Sequence, residues 1–163
     1  MNGDPRLYDL LNQLDISFEY IEHPEAPTIA IAKQYWAGHD ARHCKNLFFR
    51  NHKGNQHYLV LLDCDADMDI HAIEHQLHQG KLSFASPERL MRYLGVLPGS
   101  VTPFGLINDT DHHVIVFIDK NLQHAERVSF HPCVNTASLI VKREDLIRFI
   151  DHQLNTWQWI ELY

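Results

Sequence analysis

Apolar residues recur along this chain at two spacings, one typical of helices and one typical of strands. A helical pattern begins after Asp4-Pro5, where Asp is a preferred cap and Pro a preferred first residue. Its buried face is predicted from leucines spaced i, i+3, i+4 and i+7, namely Leu7, Leu10, Leu11 and Leu14. Segments 58–62 and 114–118 are instead continuous apolar runs of strand length. Because the two kinds of segment do not alternate regularly, we predict an α+β fold.

The other predicted elements are bounded by glycine, proline and polar turns. The predicted strands are 18–21, 47–50, 58–62, 114–118, 128–130 and 138–141, and the second and third form a hairpin around 51–55. The further predicted helices run from Thr28 to Gly38, from Ile70 to Gly80, from Ser86 to Gly95 and from Glu144 to His152. The tail carries Trp157, Trp159 and Tyr163. We see no repeat or linker, so residues 1–163 are predicted to form one α+β domain.

Composition excludes several classes of protein. No apolar run approaches the roughly 20 residues that span a bilayer, and the first residues lack a secretory signal, so we expect a cytoplasmic protein without a membrane partner. The three cysteines, Cys44, Cys64 and Cys133, have no C-x-x-C spacing. They are therefore expected to be reduced thiols, with neither a disulfide framework nor a zinc knuckle, and no cofactor is expected.

The formal charge of −7 limits how the chain can bind nucleic acid. A protein that neutralises many phosphates is normally basic, so we expect no DNA partner and only a local contact with RNA. Candidate positive contacts are Arg42, Arg50, Lys53 and Lys81, although for any one of them an ordinary solvated charge is the favoured explanation.

The segment from His71 to His75 matches the H-x-x-E-H pattern of a zinc protease helix. On a helix His71 and His75 are neighbours one turn apart. The apolar face of this helix is defined by Ile70, Ile73 and Leu77, so the histidines are predicted to face water. We therefore predict no metal site here.

Five stretches together resemble one known family. They are 45–50 (KNLFFR), 81–86 (KLSFAS), 94–105 (LGVLPGSVTPFG), 106–109 (LIND) and 130–137, in which Phe130-His131-Pro132 is followed by Asn135-Thr136-Ala137. In order and spacing they resemble the YbaK-like editing domains associated with prolyl-tRNA synthetase. Within that family they are most similar to the free-standing prolyl-tRNA deacylases that clear alanyl-tRNA.

The resemblance implies a curved, barrel-like mixed sheet flanked by helices, and a small amino-acid pocket. It implies hydrolysis of a mischarged aminoacyl-tRNA, alanine on proline tRNA in the first place and cysteine on the same tRNA as the nearest competitor. The partner would be the acceptor end of the aminoacyl-tRNA, with prolyl-tRNA synthetase as a further possible partner. A non-catalytic module that binds an amino acid or a synthetase is the alternative from a different class.

The resemblance also assigns roles to particular residues. Lys45 and Asn46 are the predicted catalytic residues, against a surface lysine and simple turn chemistry as the competing explanations. The predicted substrate-binding residues are Gly99, Ser100, Val101, Thr102, Pro103, Phe130 and His131. An aminoacyl ester is already activated, so its hydrolysis requires positioning and charge stabilisation more than a strong nucleophile. Cys44 adjoins Lys45, but adjacent strand residues point to opposite faces, which predicts a packing role for the thiol.

Overall fold

A computed structural model of the chain describes residues 1–25 and 29–163. In this part of the chain the helices are Pro5–Gln13 (α1), Ile29–Trp36 (α2), Ile70–Leu77 (α3), Pro87–Leu94 (α4) and Arg143–His152 (α5). Short 3-10 helices span Pro103–Asn108 and Lys120–His124. The strands are Glu19–Glu22 (β1), Arg42–Asn51 (β2), His57–Asp63 (β3), Leu82–Phe84 (β4), Ile115–Asp119 (β5), Arg127–Phe130 (β6), Ala137–Lys142 (β7) and Trp157–Ile160 (β8).

The strands form one mixed sheet in the order β1-β7-β6-β2-β3-β5-β8, and β4 pairs with β2. The β2–β3 hairpin and the β1–β7 and β6–β7 pairs are antiparallel, whereas β2–β6, β3–β5 and β5–β8 are parallel. The predicted α+β class and mixed sheet are confirmed. Within the described residues no helix is both long enough and apolar enough to cross a membrane.

Local signals in the sequence explain most helix boundaries. The Asp4 side chain accepts a hydrogen bond from the Arg6 amide at 2.9 Å, and Ser86 caps α4 in the same way. Gly95 ends α4 with φ of 65°, a conformation that glycine adopts without strain. The predicted extension of α3 to Gly80 is wrong, because His78 already takes the left-handed conformation. Thr28, the predicted start of α2, lies outside the described residues.

The two faces of the sheet carry two separate apolar cores. The first lies under α1, α4 and α5 and includes Phe48, Leu59 and Phe130. The second lies under α3 and includes Phe49 and Leu62. Side chains along β2 therefore alternate between the two cores, as expected for a strand that is covered on both sides.

Candidate active site

Strand β2 changes partner along its length, and the predicted catalytic residues lie at the change. It pairs with β6 only at Arg42 and His43, and with β4 only from Phe49 onwards. Between them, residues 44–48 have no hydrogen-bonded strand on this side in the described part of the chain. Strand β4 departs at Ala85, whose amide donates to the Phe48 carbonyl at 3.0 Å. The sheet thus opens beside Lys45 and Asn46.

The side chain of Lys45 lies on the α3 side of β2, the side of Leu47 and Phe49. It is half-buried, and its Nζ donates to the carbonyl of Ala66, which follows β3. No carboxylate among the described residues forms an ion pair with it. The ammonium is therefore positioned by a neutral acceptor and keeps its full charge for an incoming group.

The side chain of Asn46 lies on the opposite side of β2. Its Nδ2 donates to the Val101 carbonyl at 3.0 Å, so it connects β2 to the Gly99–Pro103 loop. Its Oδ1 is buried and has no hydrogen-bond partner among the described residues. The structure does not bring the Lys45 and Asn46 side chains together, because the thickness of the strand separates them.

The loop from Gly99 to Pro103 is held largely by its own contacts. Ser100 is buried, and its amide donates to the Leu97 carbonyl at 3.0 Å. Thr102 is fully buried and its hydroxyl accepts from the Phe104 amide, which caps the 3-10 helix that Pro103 begins. Gly99 is exposed with φ of 90°. This geometry gives Thr102 and Pro103 structural contacts and leaves the Gly99 backbone at the surface.

The remaining predicted residues, Phe130 and His131, point to different sides of the sheet. The Phe130 ring is buried in the first core, edge-on to Phe104 at 6.1 Å between centroids. His131 follows β6 on the side of Lys45, since His43 and Ser129 are register partners two residues earlier. The structure therefore brings Lys45 and His131 to one face and directs Phe130 away from it.

That face of the sheet is mostly polar and lies under α2, although the register also places Ile21 and the buried Ile140 on it. It carries Glu19, His23, His43, Lys45, Arg127, Ser129, His131 and Ser138, as register and alternation indicate. Helix α2 covers it, because Trp36 stacks on His43 at 4.1 Å between centroids and Tyr35 lies 5.9 Å from His23. We call this set of residues the α2 face.

Histidines on the α2 face are held in defined tautomers. The Nδ1 of His131 lies 2.8 Å from the Ala137 carbonyl, which only accepts, so Nδ1 carries the proton and Nε2 is an acceptor with no hydrogen-bond partner among the described residues. Nδ1 of His23 likewise donates to the Pro24 carbonyl, and its Nε2 accepts from the Ser138 hydroxyl at 2.9 Å. Burial lowers the pKa of His131, more than its hydrogen bond to Ala137 raises it. The ring is neutral at pH 7 and can accept a proton.

Sequence reasoning missed several members of this face. None of His23, His43, Ser129 and Ser138 was predicted as a site residue. The sequence signal that could have identified them is a polar residue within a short buried strand. Such a residue either lines a binding site or is hydrogen-bonded in the core. Burial, with smaller effects from His39 and Arg42, lowers the pKa of His43 to about 4.

Comparison with known proteins identifies the family. Residues 23–149 match the family model of the aminoacyl-tRNA editing domain. The chain is 39% identical over 152 residues to the prolyl-tRNA editing protein ProX of Acetoanaerobium sticklandii, covering 93% of each protein. It is 31% identical to prolyl-tRNA synthetase associated domain-containing protein 1 of Mus musculus, covering 86% of this chain and 85% of the mouse protein. The chain belongs to the aminoacyl-tRNA editing family.

A solved structure supports the same fold. A candidate trans-editing enzyme for prolyl-tRNA synthetase superposes with a TM-score of 0.68 and 19% identity, over 98% of this chain and 99% of its own. The predicted family, fold and class of activity, an aminoacyl-tRNA deacylase, are confirmed by these matches.

A cleft at one end of the sheet is lined by none of Lys45, Asn46 and His131. It measures about 890 Å³ and is lined at one end of the sheet by Arg42, Asp63, Asn121, Arg127 and Tyr163, among others. Its two arginines are already paired, Arg42 with Asp63 and Arg127 with Glu19. Of the residues predicted to contact RNA, Arg42 is therefore already paired with a carboxylate. Lys45, the predicted catalytic lysine, does not line this cleft.

The surroundings of the H-x-x-E-H segment and of Cys44 explain why neither is a site. His71 and His75 are exposed, as predicted, and Glu74 accepts from the Leu82 amide at 2.8 Å. Cys44 packs against the first core, and burial raises the pKa of its thiol far above the normal range. All three cysteines are free thiols, as expected. A protonated thiol is a poor nucleophile, so Cys44 is unsuited to attack an ester.

One group of potential metal ligands is found in the described residues, at the end of β3. Ligand atoms of Asp63, Cys64 and Asp65 lie within 4.8 Å of one another. Asp63 is paired with Arg42, and Asp65 with Lys33 at 2.5 Å. The hydrogen bond to Lys33 lowers the pKa of Asp65, and burial raises that of Cys64. Because both carboxylates are neutralised by cations and the thiol is protonated, the group is a poor metal site.

Proposed function

We propose that this chain, as one editing domain, hydrolyses the ester that joins alanine to proline tRNA. The observation that carries the proposal is the juxtaposition of Lys45 and His131 on the α2 face, at the opening where β2 has left β6 and not yet met β4. The relative from A. sticklandii, named a prolyl-tRNA editing protein, supports the choice of tRNA.

Lys45 supplies the charge stabilisation that ester hydrolysis needs. Attack of water on the ester carbonyl develops negative charge on its oxygen, and a positioned ammonium stabilises that charge in the transition state. The Nζ is already oriented by the Ala66 carbonyl, so little reorganisation accompanies the reaction. A lysine held by a carboxylate, such as Lys33 by Asp65, would have to break an ion pair first.

His131 is suited to handle a proton at the same place. Its free Nε2 accepts a proton or a hydrogen bond, from the attacking water or from the substrate's α-amino group. The neighbouring ribose hydroxyl of the substrate is a second group that can orient the water. The neutral state of His131 fits an acceptor role, because burial lowers its pKa.

Asn46 acts through the loop in this proposal. Its bond to the Val101 carbonyl fixes the loop from Gly99 to Pro103 against β2. The unpartnered Oδ1 is available to a donor on the substrate, such as an amine or a ribose hydroxyl. Asn46 is therefore proposed as a positioning residue whose loss misplaces the loop.

The experiment that tests the proposal measures ester loss from labelled aminoacyl-tRNAs. Pure protein is incubated with alanyl-, cysteinyl- and prolyl-tRNA(Pro), and we expect the alanyl ester to disappear fastest and the prolyl ester to persist. Alanine and cysteine differ by about one methylene-sized group, so discrimination between them is limited to about 1–3 kcal/mol. Faster loss of the cysteinyl ester would overturn the alanine assignment. Binding without cleavage of any ester would make the chain a non-catalytic module.

A further inference from the structure

Residues 2–4, which we call the strap, precede α1 and lie across the connection between β6 and β7. The Asp4 amide donates to the Pro132 carbonyl at 3.3 Å, and the Asn2 side-chain amide donates to the Thr136 hydroxyl at 3.3 Å. Asn2 and Thr136 are 134 positions apart in the sequence. The strap therefore joins the start of the chain to the connection that carries His131.

This connection, residues 131–136, has little structure of its own, and we call it the His131 loop. All of its residues are described, and no backbone hydrogen bond joins two of them. Cys133 has a φ of 69°, a left-handed conformation that a residue with a side chain keeps only where its surroundings determine it. The position of the loop is therefore set by contacts from other parts of the chain.

The orientation of the His131 ring depends on the shape of this loop. Its Nδ1 donates to the Ala137 carbonyl at 2.8 Å, so the hydrogen bond connects the first residue of the loop to the residue that follows it. That bond fixes the tautomer in which Nε2 accepts. A shift of Pro132, the next residue, would move the ring relative to Ala137. The tautomer and the direction of Nε2 therefore depend on where the loop is held.

Glycine at position 3 allows the strap to lie directly against Pro132. Gly3 has a φ of 125°, and a Cβ added there would lie 2.7 Å from the Pro132 carbonyl oxygen. The Tyr8 hydroxyl lies 3.1 Å from the same Cβ position and donates to the Asn2 carbonyl at 2.6 Å. A side chain at position 3 would therefore push the strap away from the loop.

The strap is anchored on the side of the first core. The Tyr20 hydroxyl accepts from the Asn2 amide at 2.8 Å, and the Tyr8 and Tyr20 rings both pack with that core. His131 lies on the opposite side of the sheet, on the α2 face. The strap therefore supports the His131 loop from the side away from the proposed site.

We propose that the strap is a positioning element of the active site, in which Gly3 and Tyr8 hold the His131 loop so that Nε2 of His131 points to the substrate. The strap touches no reacting atom and acts only through His131. Misplacing a reacting group by about 1 Å lowers turnover by up to about 10²-fold. The inference rests on the deacylase function proposed above.

A matched pair of glycine variants tests the strap. Gly3→Ala adds a methyl group against Pro132, whereas a Cβ added to Gly80, which has a φ of 78°, meets no described atom within 4 Å beyond its chain neighbours. Both variants place alanine at a positive φ, and only the first pushes on the loop. On alanyl-tRNA we expect Gly3→Ala to lower kcat about tenfold with KM unchanged, and Gly80→Ala to match the wild type in both. Equal kcat in the two variants would overturn the proposal.

Coupling to His131 shows whether the strap acts through that ring. In a His131→Ala background, Gly3→Ala should lower kcat no further, because the group that the strap positions is gone. In ¹⁵N spectra the wild-type His131 ring should carry its proton on Nδ1, and Gly3→Ala should add the other tautomer. A loss of kcat that persists in the His131→Ala background would overturn the proposal, as would His131 resonances that Gly3→Ala leaves unchanged.

Tyr8→Phe tests the same contact without adding atoms. It removes the hydrogen bond to the Asn2 carbonyl and keeps the ring in the core. Tyr58→Phe is the control, because the hydroxyl of this buried tyrosine has no hydrogen-bond partner among the described residues. We expect kcat to fall about threefold in Tyr8→Phe only, with part of the same tautomer change. If Gly3→Ala fails to fold, this pair decides, and wild-type kcat and resonances in Tyr8→Phe would overturn the proposal.

The spectra separate this inference from the function on which it rests, because they require no substrate. If the wild type cleaves no alanyl ester, the deacylase function is wrong, and the His131 tautomer in Gly3→Ala still decides whether the strap orients the ring. If the wild type cleaves the ester and Gly3→Ala keeps its full kcat, only the strap inference is wrong.

Discussion

Two histidine pairs in this protein differ in the hydrogen-bonding groups that their surroundings leave available to a substrate. His57 and His113 meet with 2.9 Å between Nδ1 of the first and Nε2 of the second, and His57 Nε2 accepts from Arg89 at 3.0 Å. His131 and His23 lie with ring centroids 5.9 Å apart, and the Nε2 of His131 has no hydrogen-bond partner in the part of the chain that the structure describes. Both ring nitrogens of His57 are therefore hydrogen-bonded within the protein, whereas the second pair is left with an acceptor for a substrate.

The difference arises from position in the sheet. His57 is the first residue of β3, a central strand of the sheet. It is fully buried, and its ring contacts the rings of Phe48 and Tyr93. His131 follows β6 where the sheet opens and only α2 lies above. A satisfied buried network stabilises the fold, while an unsatisfied polar group at an opening is a binding element. If this distinction is right, variants at His57 should lose stability and variants at Lys45 and His131 should lose activity.

The largest effect is expected for Lys45→Ala. Removing the ammonium should lower kcat about 10²–10³-fold, because one preorganised group that stabilises developing charge contributes about that much. The melting temperature should stay within a few degrees, since the one hydrogen bond that the Lys45 side chain makes with the described residues is to a backbone carbonyl. Lys33→Ala, which removes an exposed lysine with an ion pair, is the control. A fully active Lys45→Ala variant would contradict the site.

His131→Ala should reduce kcat about 10²-fold, the lower end of what a proton acceptor contributes. Exposed His75→Ala is the matched control and should retain wild-type turnover. Single-turnover deacylation at saturating enzyme separates this chemical effect from weaker binding. Unchanged kcat in His131→Ala would leave the histidine with only a structural role.

His57→Ala should show the opposite pattern. Truncating the ring leaves the Arg89 and His113 groups without their partner and creates a cavity against Phe48, so we expect a loss of about 2–3 kcal/mol in the free energy of unfolding. Turnover per folded molecule should be normal. Urea denaturation together with activity at low temperature measures both. A stable variant with impaired kcat would reverse the assignment of the two pairs.

The smallest effect is the pH dependence of stability contributed by His57. Burial, with His113 and the nearby arginines Arg89, Arg92 and Arg50, lowers its pKa from 6.5 to about 4. The unfolded chain therefore binds a proton that the folded protein does not, and stability falls as pH decreases from 6.5 towards 4. From pH 7 to pH 5 this contributes about 2 kcal/mol. Urea titrations at both pH values should show that this loss is absent in His57→Ala; an identical pH dependence would exclude His57 as its source.

Local sequence predicted the elements whose signals are local. The cap at Asp4, the leucine spacing of α1 and the Ser86–Gly95 boundaries of α4 are contained in a few consecutive residues. Strand β8 was not predicted because it pairs in parallel with β5, about 40 residues earlier, and a tail with two tryptophans gives no short-range sign of that. The start of β2 at Arg42 was missed because its polar first half does not look like a buried strand.

Site residues could be predicted from the sequence only where they belong to a family motif. Lys45 and His131 were predicted from the family resemblance, and the structure places them on one face. The assembly of His23, Ser129 and Ser138 around them depends on β1 pairing with β7 across more than 100 residues of sequence, and on β6 pairing with both β7 and β2. Chemistry at such distances is set by register, which no local pattern specifies.

The most direct measurement of where the ester binds uses the histidines themselves as reporters. Imidazole resonances in a ¹⁵N-labelled sample are followed while 3′-alanylamido-adenosine, a non-hydrolysable amide of the proposed substrate, is added. We predict shifts for His131 and His23 on the α2 face, and none for His57 and His113. Shifts confined to His39 and His124, which line the large cleft, would place the substrate there and contradict the account.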